Sequence, residues 1–288
     1  MTRKPVVAGQ FYPGDFGELD KQINECFASK FGPGDLPTKR KDKQILGIIA
    51  PHAGYQFSGA CAAWAYKEIA EAKFADLYIV LGLSHSGFGS CISLRDWETP
   101  FGVVKVDKEF AEKVSRAAGL RINEDAHQQE HSIEVQLPFL QFVSKDYLEK
   151  LRILPIIVSD DVDYEEVAKS IAKTINESGK KICIIASSDF THFGLNYGFF
   201  PFQKDVKDNL YKLDKGAIEH ILNLNSYRFM DYVKETGATI CGRIPIATLI
   251  DICKELGAKK GRLLHYYTSG DIVGDYGNAV GYGAVVVQ

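Results

Sequence analysis

The chain has 288 residues, of which 45% are hydrophobic and 25% are charged, and its formal net charge is −3 at neutral pH. This near-neutral balance argues against a general binder of nucleic acids or membrane surfaces, because such proteins carry a basic excess. The longest apolar runs, such as residues 184–186 and 284–287, are far too short to span a bilayer. We therefore expect neither a nucleic-acid partner nor a membrane association.

Six cysteines are spread along the sequence without a C-x-x-C pair: Cys26, Cys61, Cys91, Cys183, Cys241 and Cys253. This spacing indicates neither a disulfide framework nor a zinc ribbon. Residues 1–15 contain Lys and Arg but no apolar stretch typical of a signal peptide. These features predict a protein of a reducing compartment, the cytoplasm.

The chain begins with an N-terminal arm, residues 1–43, whose last part (32–43) is a loop rich in Gly, Pro, Lys and Arg. Beyond it, short apolar runs alternate with segments of helical periodicity. Apolar runs of this length are typical of strands buried in a parallel sheet. In chain order they predict strands over residues 45–50, 77–83, 91–94, 103–106, 152–158, 181–186, 263–268 and 279–287.

Helices are predicted between these strands. We expect Ser58 and Asp107 to cap two of them, and Pro138 to kink a third or to mark its start. The predicted helices are 58–72, 107–118, 133–147, 162–177 and two or three within 202–256, one of them beginning near Pro245. Strands and helices that alternate without an internal boundary predict a single α/β domain, a sheet sandwiched by helices, over residues 1–288.

Three predicted strands are followed by a histidine with small residues beside it. His52, His85 and His192 follow the first, second and sixth predicted strands, respectively. In open α/β sheets, ligands bind outside the carboxyl ends of the strands. A single histidine is usually a structural residue, but three of the seven histidines in equivalent positions predict one shared crevice.

Cys241 is the candidate fourth member of this site. It lies just before a predicted helix, with Arg243 nearby. A helix N-terminus and an adjacent cation both favour the thiolate, which is the nucleophilic and metal-binding form of cysteine. Other cysteines, such as Cys61 and Cys183, lie in apolar contexts that are typical of core residues.

Histidines and a cysteine drawn from separate loops are typical of a catalytic metal site, since structural zinc sites usually have closely paired ligands. Imidazole and thiolate suit zinc, copper or iron. Asp189 is either a further ligand or an acceptor that orients a histidine. The sequence has no P-loop, G-x-G-x-x-G or G-x-S-x-G pattern, so we expect no nucleotide cofactor and no serine-hydrolase chemistry.

His127, Glu130 and His131 match the H-x-x-E-H pattern of inverted zinc peptidases. That pattern needs a helix to place both histidines on one metal, whereas the surrounding Asn and Gln residues indicate a loop that enters a helix only after His131. A peptidase is therefore the weaker interpretation. We favour Glu130 and His131 as polar groups of the shared crevice or as caps of the next helix, with Gln136 as a further candidate.

Six segments together resemble the Memo family, whose bacterial and archaeal members are known as component B of the AmmeMemoRadiSam grouping. These segments are FYP (11–13), APHAGY (50–55), LGLSH (81–85), EHSIE (130–134), SSDFTH (187–192) and CGRIPI (241–246). They occur in order over nearly the whole chain. The resemblance implies the fold of the class III extradiol ring-cleaving dioxygenases, which hold non-haem Fe(II), and functional partners within the AmmeMemoRadiSam grouping.

The resemblance also implies roles for individual residues. His52 and His85 match the two histidine ligands of the dioxygenases, His192 matches their acid/base, and His131 matches a substrate-side histidine. The dioxygenases have a Glu in place of Cys241, and a thiolate changes the charge, softness and potential of a metal. Memo proteins are associated with iron or copper and with redox activity, and eukaryotic members with phosphorylated signalling partners bound through this pocket.

The leading hypothesis is a cytoplasmic, metal-binding redox or oxygenase-like protein that acts on an unidentified small molecule. Fe(II) or copper, with zinc as a further option, would be held by His52, His85 and Cys241. His192 would be a fourth ligand or the general acid/base, supported by Asp189. The alternative is a non-catalytic module that binds a phosphorylated or acidic peptide in the same pocket, with the histidines and Arg243 as donors.

Overall fold

The computed structural model describes residues 2–288. Its strands are β1 (Thr2–Arg3), β2 (Gly47–Ala50), β3 (Leu77–Gly82), β4 (Cys91–Ile92), β5 (Asp96–Thr99), β6 (Gly102–Val106), β7 (Arg121–Ile122), β8 (Arg152–Ile157), β9 (Ile182–Ser187), β10 (His192–Gly194), β11 (Gly261–Thr268) and β12 (Asn278–Val287). Its α-helices are α1 (Phe16–Ala28), α2 (Tyr55–Glu71), α3 (Lys108–Ala118), α4 (Glu124–Gln128), α5 (Gln136–Val143), α6 (Tyr164–Ser178), α7 (Val206–Leu222), α8 (Ser226–Thr236), α9 (Arg243–Glu255) and α10 (Ser269–Val273). Two 3₁₀ helices span Lys145–Lys150 and Leu195–Tyr197.

The strands of residues 2–288 form one mixed sheet in the order β1-β5-β6-β8-β3-β9-β2-β12-β10, with β11 beside β12, β4 beside β8 and β7 beside β4. Its centre, from β8 to β2, is parallel, and β12 joins β2 antiparallel. Every residue of β2, β3 and β9 is buried. A strand covered on both faces has no solvent side, which explains why these three segments are continuous apolar runs.

Two groups of helices cover the sheet. In one group α6 packs on α3 and α9, and α9 contacts β9, β2 and β3. In the other, α1 and α5 pack on α2, which contacts β2 and β12. The predicted α/β fold, a sheet flanked by helices in one domain, is confirmed. No helix formed by residues 2–288 combines the length and the apolar character that a membrane span needs.

Several helix boundaries differ from the prediction. Helix α2 begins at Tyr55 with Gly54 as its N-cap, so Ser58 is not the cap. Instead, the hydroxyl of Ser58 lies inside the first turn and donates to the carbonyl of Ala53 (2.8 Å). Helix α5 begins only at Gln136, so that Pro138 falls in its first turn, where a proline leaves no helical hydrogen bond unmade.

The first 43 residues contain more structure than the predicted arm and loop. Helix α1 is capped by the carboxylate of Asp15, which accepts from the backbone N–H groups of Gly17 and Glu18, and it packs on α2. Residues 2–13, which we call the leading segment, begin with β1 paired to β5. This segment then contributes Gln10 and Phe11 to the wall of a cavity that is also lined by histidines.

Candidate metal site

His52 lies at the centre of the candidate site, two residues beyond the end of β2. Its backbone N–H donates to Oδ1 of Asp189 (2.9 Å), which follows β9, the strand adjacent to β2. Its side chain is buried, with Nδ1 2.9 Å from Oγ of Ser187. Its Nε2 lies 3.4 Å from Sγ of Cys241 and 4.0 Å from Oδ2 of Asp189. The neighbouring ends of two parallel strands therefore hold this imidazole on one side and leave Nε2 beside a thiol and a carboxylate.

His85 and His131 form a stacked pair next to His52. Their ring centroids are 4.3 Å apart with an interplanar angle of 19°, and they lie 5.5 Å and 5.7 Å, respectively, from the ring of His52. The buried carboxylate of Glu130 accepts from the backbone N–H of His85 (2.7 Å), and its other oxygen lies 2.9 Å from Nδ1 of the same residue. Because a carboxylate only accepts hydrogen bonds, it selects the Nδ1-protonated ring of His85.

Glu130 is ionised in this position. Burial alone would raise the pKa of its carboxyl group, but the hydrogen bond and charge of His85, with the backbone N–H groups of His85 and Ser132, lower that pKa to about 2. The segment that carries Glu130 reaches the end of β3 because residue 82 is glycine. A Cβ on Gly82 would lie 2.5 Å from Cγ1 of Ile133 and 2.6 Å from Oγ of Ser132.

Cys241 reaches the site through a similar close approach. The backbone N–H of Gly242 donates to Oγ of Ser188 (3.0 Å), and a Cβ on Gly242 would lie 2.5 Å from Cβ of Ser188 and 2.6 Å from the carbonyl oxygen of Ser187. The glycine therefore lets the N-terminus of α9 pack directly on the end of β9. This packing sets Sγ of Cys241 3.6 Å from the carbonyl oxygen of Asp189.

The predicted thiolate at Cys241 is wrong for the metal-free protein. Burial raises the pKa of its thiol, and the charge of Asp189 raises it further. Arg243, which was expected to favour the thiolate, forms an ion pair with Asp160 instead. A bound cation would reverse the balance, because a coordinating thiol is deprotonated by the metal it binds.

Two imidazoles of the site, the buried His52 and the partly exposed His131, are neutral near pH 7. Burial lowers the pKa of His52, although the charge of Asp189 opposes this effect. Burial, together with the neighbouring His52 and His85, lowers the pKa of His131 to about 4. Neutral imidazole is the form that binds metals, so these two rings are already in the ligand state.

His192 occupies the rim of the same cavity. It is the first residue of β10, and its Nδ1 lies 3.1 Å from the carbonyl oxygen of Thr239. A carbonyl only accepts hydrogen bonds, so Nδ1 carries a proton and donates it to Thr239. The ring also meets that of Tyr197 edge-on, with centroids 5.2 Å apart.

Within residues 2–288, two groups of side chains have donor atoms close enough to share a cation. The first is His52, His85 and His131, and the second is His52, Asp189 and Cys241; the donor atoms in each group lie within 4.8 Å of one another. Nitrogen, thiol sulfur and carboxylate oxygen fit a transition metal such as iron, copper or zinc. The residues present therefore fit a metal ion.

The predicted ligands do not all fall in one group. His52 belongs to both, whereas His85 and Cys241 are divided between them. His131, predicted as a substrate-side residue, stands beside the other two histidines as a potential donor, and His192 is in neither group. Asp189, predicted as a ligand or an orienting acceptor, is placed for both, because one oxygen holds the His52 backbone and the other lies near its Nε2.

The histidines open onto a cavity of about 530 Å³. Its walls combine aromatic, aliphatic and neutral polar side chains with Asp189 and the histidines, and none of the described residues that line it is Lys or Arg. The lining side chains other than the site residues are those of Gln10, Phe11, Ala53, Gln56, Phe57, Tyr197, Ser269, Val273, Asn278, Val280 and Tyr282, with Gly54 contributing backbone. The edge of Phe11 packs against the ring of His131, with centroids 4.9 Å apart.

The peptidase interpretation of His127 is not supported. His127 lies in α4, which ends before Glu130 and His131, so no single helix places the two histidines on one metal. Its ring is buried, with Nε2 3.6 Å from Sγ of Cys91, and meets Trp97 edge-on. Among the residues that the structure describes, His127 belongs to neither donor group.

Two polar residues that support His52 had weak sequence signals. Ser187 is the last residue of β9 and ends an apolar run, and Gln136 stands between two apolar residues. The sequence signal at Gln136 is a polar side chain between the apolar residues Val135 and Leu137. All three residues are buried, and a buried amide requires hydrogen-bond partners.

Comparison with known proteins identifies the family of this chain. The family model described as Memo-like protein matches residues 3–286. A MEMO1 family protein of Methanopyrus kandleri is 41% identical over 295 residues, covering 100% of this chain and 99% of the relative. One from Nitrosopumilus maritimus is 41% identical over 291 residues, covering 99% of each chain, and one from Methanocaldococcus jannaschii is 38% identical over 295 residues, again covering 99% of each. The chain belongs to the Memo family.

Proposed function

We propose that this Memo-family protein is a cytoplasmic, metal-dependent redox protein of the oxygenase type, with Fe(II) or copper as its metal and zinc as a further option. The observation that carries the proposal is the convergence of His52, His85, His131 and Asp189 on one cavity, with Sγ of Cys241 3.4 Å from Nε2 of His52. When bound there, iron or copper would supply a centre for electron transfer and for O₂ activation, which zinc would not. The six free cysteines fit a reducing compartment.

The proposed ligands are His52, His85 and Cys241; His85 and Cys241 lie in different donor groups, so these two side chains must move closer together for one ion to bind all three. His52 and His85 are supported by their Nδ1 partners, which leave Nε2 as the donor atom in each ring. Cys241 supplies a soft, anionic donor once its proton is lost, and this favours iron or copper with redox activity over a purely structural ion. Asp189 holds the backbone of His52 in place.

His192 is proposed as the general acid/base. It lines the cavity outside both donor groups, and the carbonyl of Thr239 fixes its ring so that Nε2 is the exchanging atom. A group that lines the cavity without binding the metal can take a proton from a bound substrate or return one. The absence of Lys and Arg from the described cavity walls supports a neutral small molecule as that substrate. A phosphate would need cationic partners there.

The experiment is metal analysis of protein purified without oxygen. We expect one equivalent of iron or copper in the wild type, its loss in His52→Ala, and its retention in the matched control His220→Ala, whose ring lies on α7 against Tyr232. Metal content that is unchanged in His52→Ala would overturn the proposal. Cys241→Ser and His131→Ala, compared in the same way, report which donor group holds the metal.

The acid/base role has a separate test. His192→Ala should keep its metal but lose metal-dependent O₂ uptake measured with an oxygen electrode. Loss of the metal itself would make His192 a ligand instead.

Saturable binding of a phosphopeptide that survives chelation would favour the alternative of a non-catalytic module.

A further inference from the structure

We propose that Ser187 and Gln136 are positioning residues that hold His52 in a single tautomer, with the proton on Nδ1 and a free lone pair on Nε2. The inference deepens the proposed function, because a free Nε2 is what a metal at this site requires. The tautomer itself is a property of the metal-free protein and is read without a metal.

The hydroxyl of Ser187 has its proton committed elsewhere. It donates to the carbonyl oxygen of Ser132 at 2.6 Å, and a carbonyl has no proton to give back. Toward any further partner the hydroxyl oxygen can only accept. Because Nδ1 of His52 lies 2.9 Å from this oxygen, Nδ1 must be the donor and therefore carries the proton.

Gln136 keeps the Ser187 hydroxyl in this orientation. Its amide nitrogen lies 2.9 Å from the carbonyl oxygen of Pro51 and 2.8 Å from Oγ of Ser187. Its amide oxygen lies 2.8 Å from the hydroxyl of Tyr66. A flipped amide would set its oxygen against the Pro51 carbonyl, two acceptors facing each other, so Nε2 is the group that donates to Ser187.

The hydroxyl group of Ser187 cannot form any further hydrogen bond. Ser187 Oγ makes one donated and two accepted hydrogen bonds, which is the full complement of a hydroxyl group. Ser187, Gln136 and Tyr66 are buried, and His52 is nearly so, which leaves a change of tautomer without compensation from solvent. These buried hydrogen bonds therefore fix the tautomer of His52.

The opposite tautomer would face a different set of partners. With its proton on Nε2, the ring would direct an N–H toward Sγ of Cys241 and Oδ2 of Asp189 and would have no lone pair there for a cation. The segment 130–136 thus orients both His85 and His52. Glu130 holds Nδ1–H of His85 directly, and Gln136 holds Nδ1–H of His52 through Ser187.

The test is long-range ¹H–¹⁵N NMR of metal-free protein labelled with ¹⁵N-histidine, which distinguishes protonated from unprotonated ring nitrogens. We expect the wild-type His52 signal to show a protonated Nδ1 and an unprotonated Nε2. In Ser187→Ala the acceptor for Nδ1–H is lost, while Sγ of Cys241 and Oδ2 of Asp189 remain near Nε2, so the ring should shift toward the Nε2-protonated form. Ser144→Ala, which removes another buried hydroxyl far from His52, is the matched control and should leave the signal unchanged.

Ser187→Thr keeps the hydroxyl group and should retain the wild-type tautomer. Metal titration gives a second readout, in which Ser187→Ala should bind about 10- to 100-fold more weakly than Ser144→Ala, the range for lost supporting hydrogen bonds. An Nε2-protonated ring in the wild type, or an unchanged tautomer in Ser187→Ala, overturns the proposal. The wild-type spectrum decides even where Ser187→Ala fails to fold, and a wild type with the expected tautomer but no metal binding overturns only the proposed function.

Discussion

The carboxylate of Glu134 fastens the leading segment to the rest of the molecule, and its replacement by Gln tests that anchoring. Glu134 forms a buried ion pair with Arg3. It also accepts from the backbone N–H groups of Val6 and Val7, both at 3.0 Å from Oε1, and from the hydroxyl of Tyr12 at 2.6 Å. Glu134→Gln turns one acceptor into a donor that faces other donors and leaves the guanidinium without a counter-charge.

The expected magnitude follows from the burial of both charges. The side chains of Arg3 and Glu134 are 3% and 0% exposed, and removing one partner of such a pair costs about 3–5 kcal/mol. Since about 1.4 kcal/mol is a factor of ten, the population with an open leading segment should rise roughly 100-fold or more. An exposed ion pair on the same segment, between Lys4 (71% exposed) and Glu98 (32% exposed), is worth at most about 1 kcal/mol.

The assay is amide hydrogen exchange at Val6 and Val7, whose N–H groups donate to Glu134. We expect exchange at both positions to accelerate roughly 100-fold or more in Glu134→Gln and by no more than about fivefold in the control Glu98→Gln. Because Phe11 contacts His131, the opened segment should also expose one wall of the cavity. Equal exchange rates in the two variants would refute the reasoning that burial makes Glu134 the anchor.

Three further predictions concern the site. Gly242→Ala, whose Cβ would lie 2.5 Å from Ser188, should lose about 1–3 kcal/mol in urea unfolding and weaken metal binding, whereas Gly14→Ala, with its nearest neighbour at 3.6 Å, should do neither. If Cys241 is a ligand, its raised thiol pKa means that one proton leaves this side chain on binding, which contributes about a tenfold rise in metal affinity per pH unit from pH 6 to 8. Cys241→Ser should remove that contribution, and an unchanged pH dependence in this variant would indicate the three-histidine group. The pKa of Glu130 falls from 4.5 to about 2 on folding, so its ionised carboxylate stabilises the fold above pH 4.5. Up to about 3 kcal/mol of the free energy of unfolding is lost as the pH falls toward 2. Glu130→Gln should remove that part of the pH dependence of unfolding.

Much of the fold could be predicted because it depends on local pattern. The buried strands β2, β3 and β9 have apolar sequences that any parallel sheet covered on both faces requires. The cap of α3 by Asp107 could also be predicted, because its partner, the N–H of Phe110, is three residues away. The start of α2 could not, because Gly54 offers no side-chain cap and Ser58 donates backwards to Ala53 instead of capping.

The sequence by itself determined that histidines follow parallel strands, and hence that His52 and His85 lie at one edge of the sheet. It also determined that a cysteine next to glycine, Cys241, is the candidate sulfur donor. Membership of the Memo family follows from the sequence as well. These features depend on the residue types and on which residues follow each strand along the chain, and both can be read from the sequence.

Only the tertiary structure decided the chemical state of these side chains. The tautomer of His52 depends on Ser187, a residue 135 positions away, and the protonation of Cys241 depends on burial and on Asp189, not on the nearby Arg243. The division of the donors into two groups that share His52 likewise depends on distances between different strand ends. Hydrogen bonding and desolvation act over a few ångströms in space, and spacing along the chain does not reveal which groups come that close.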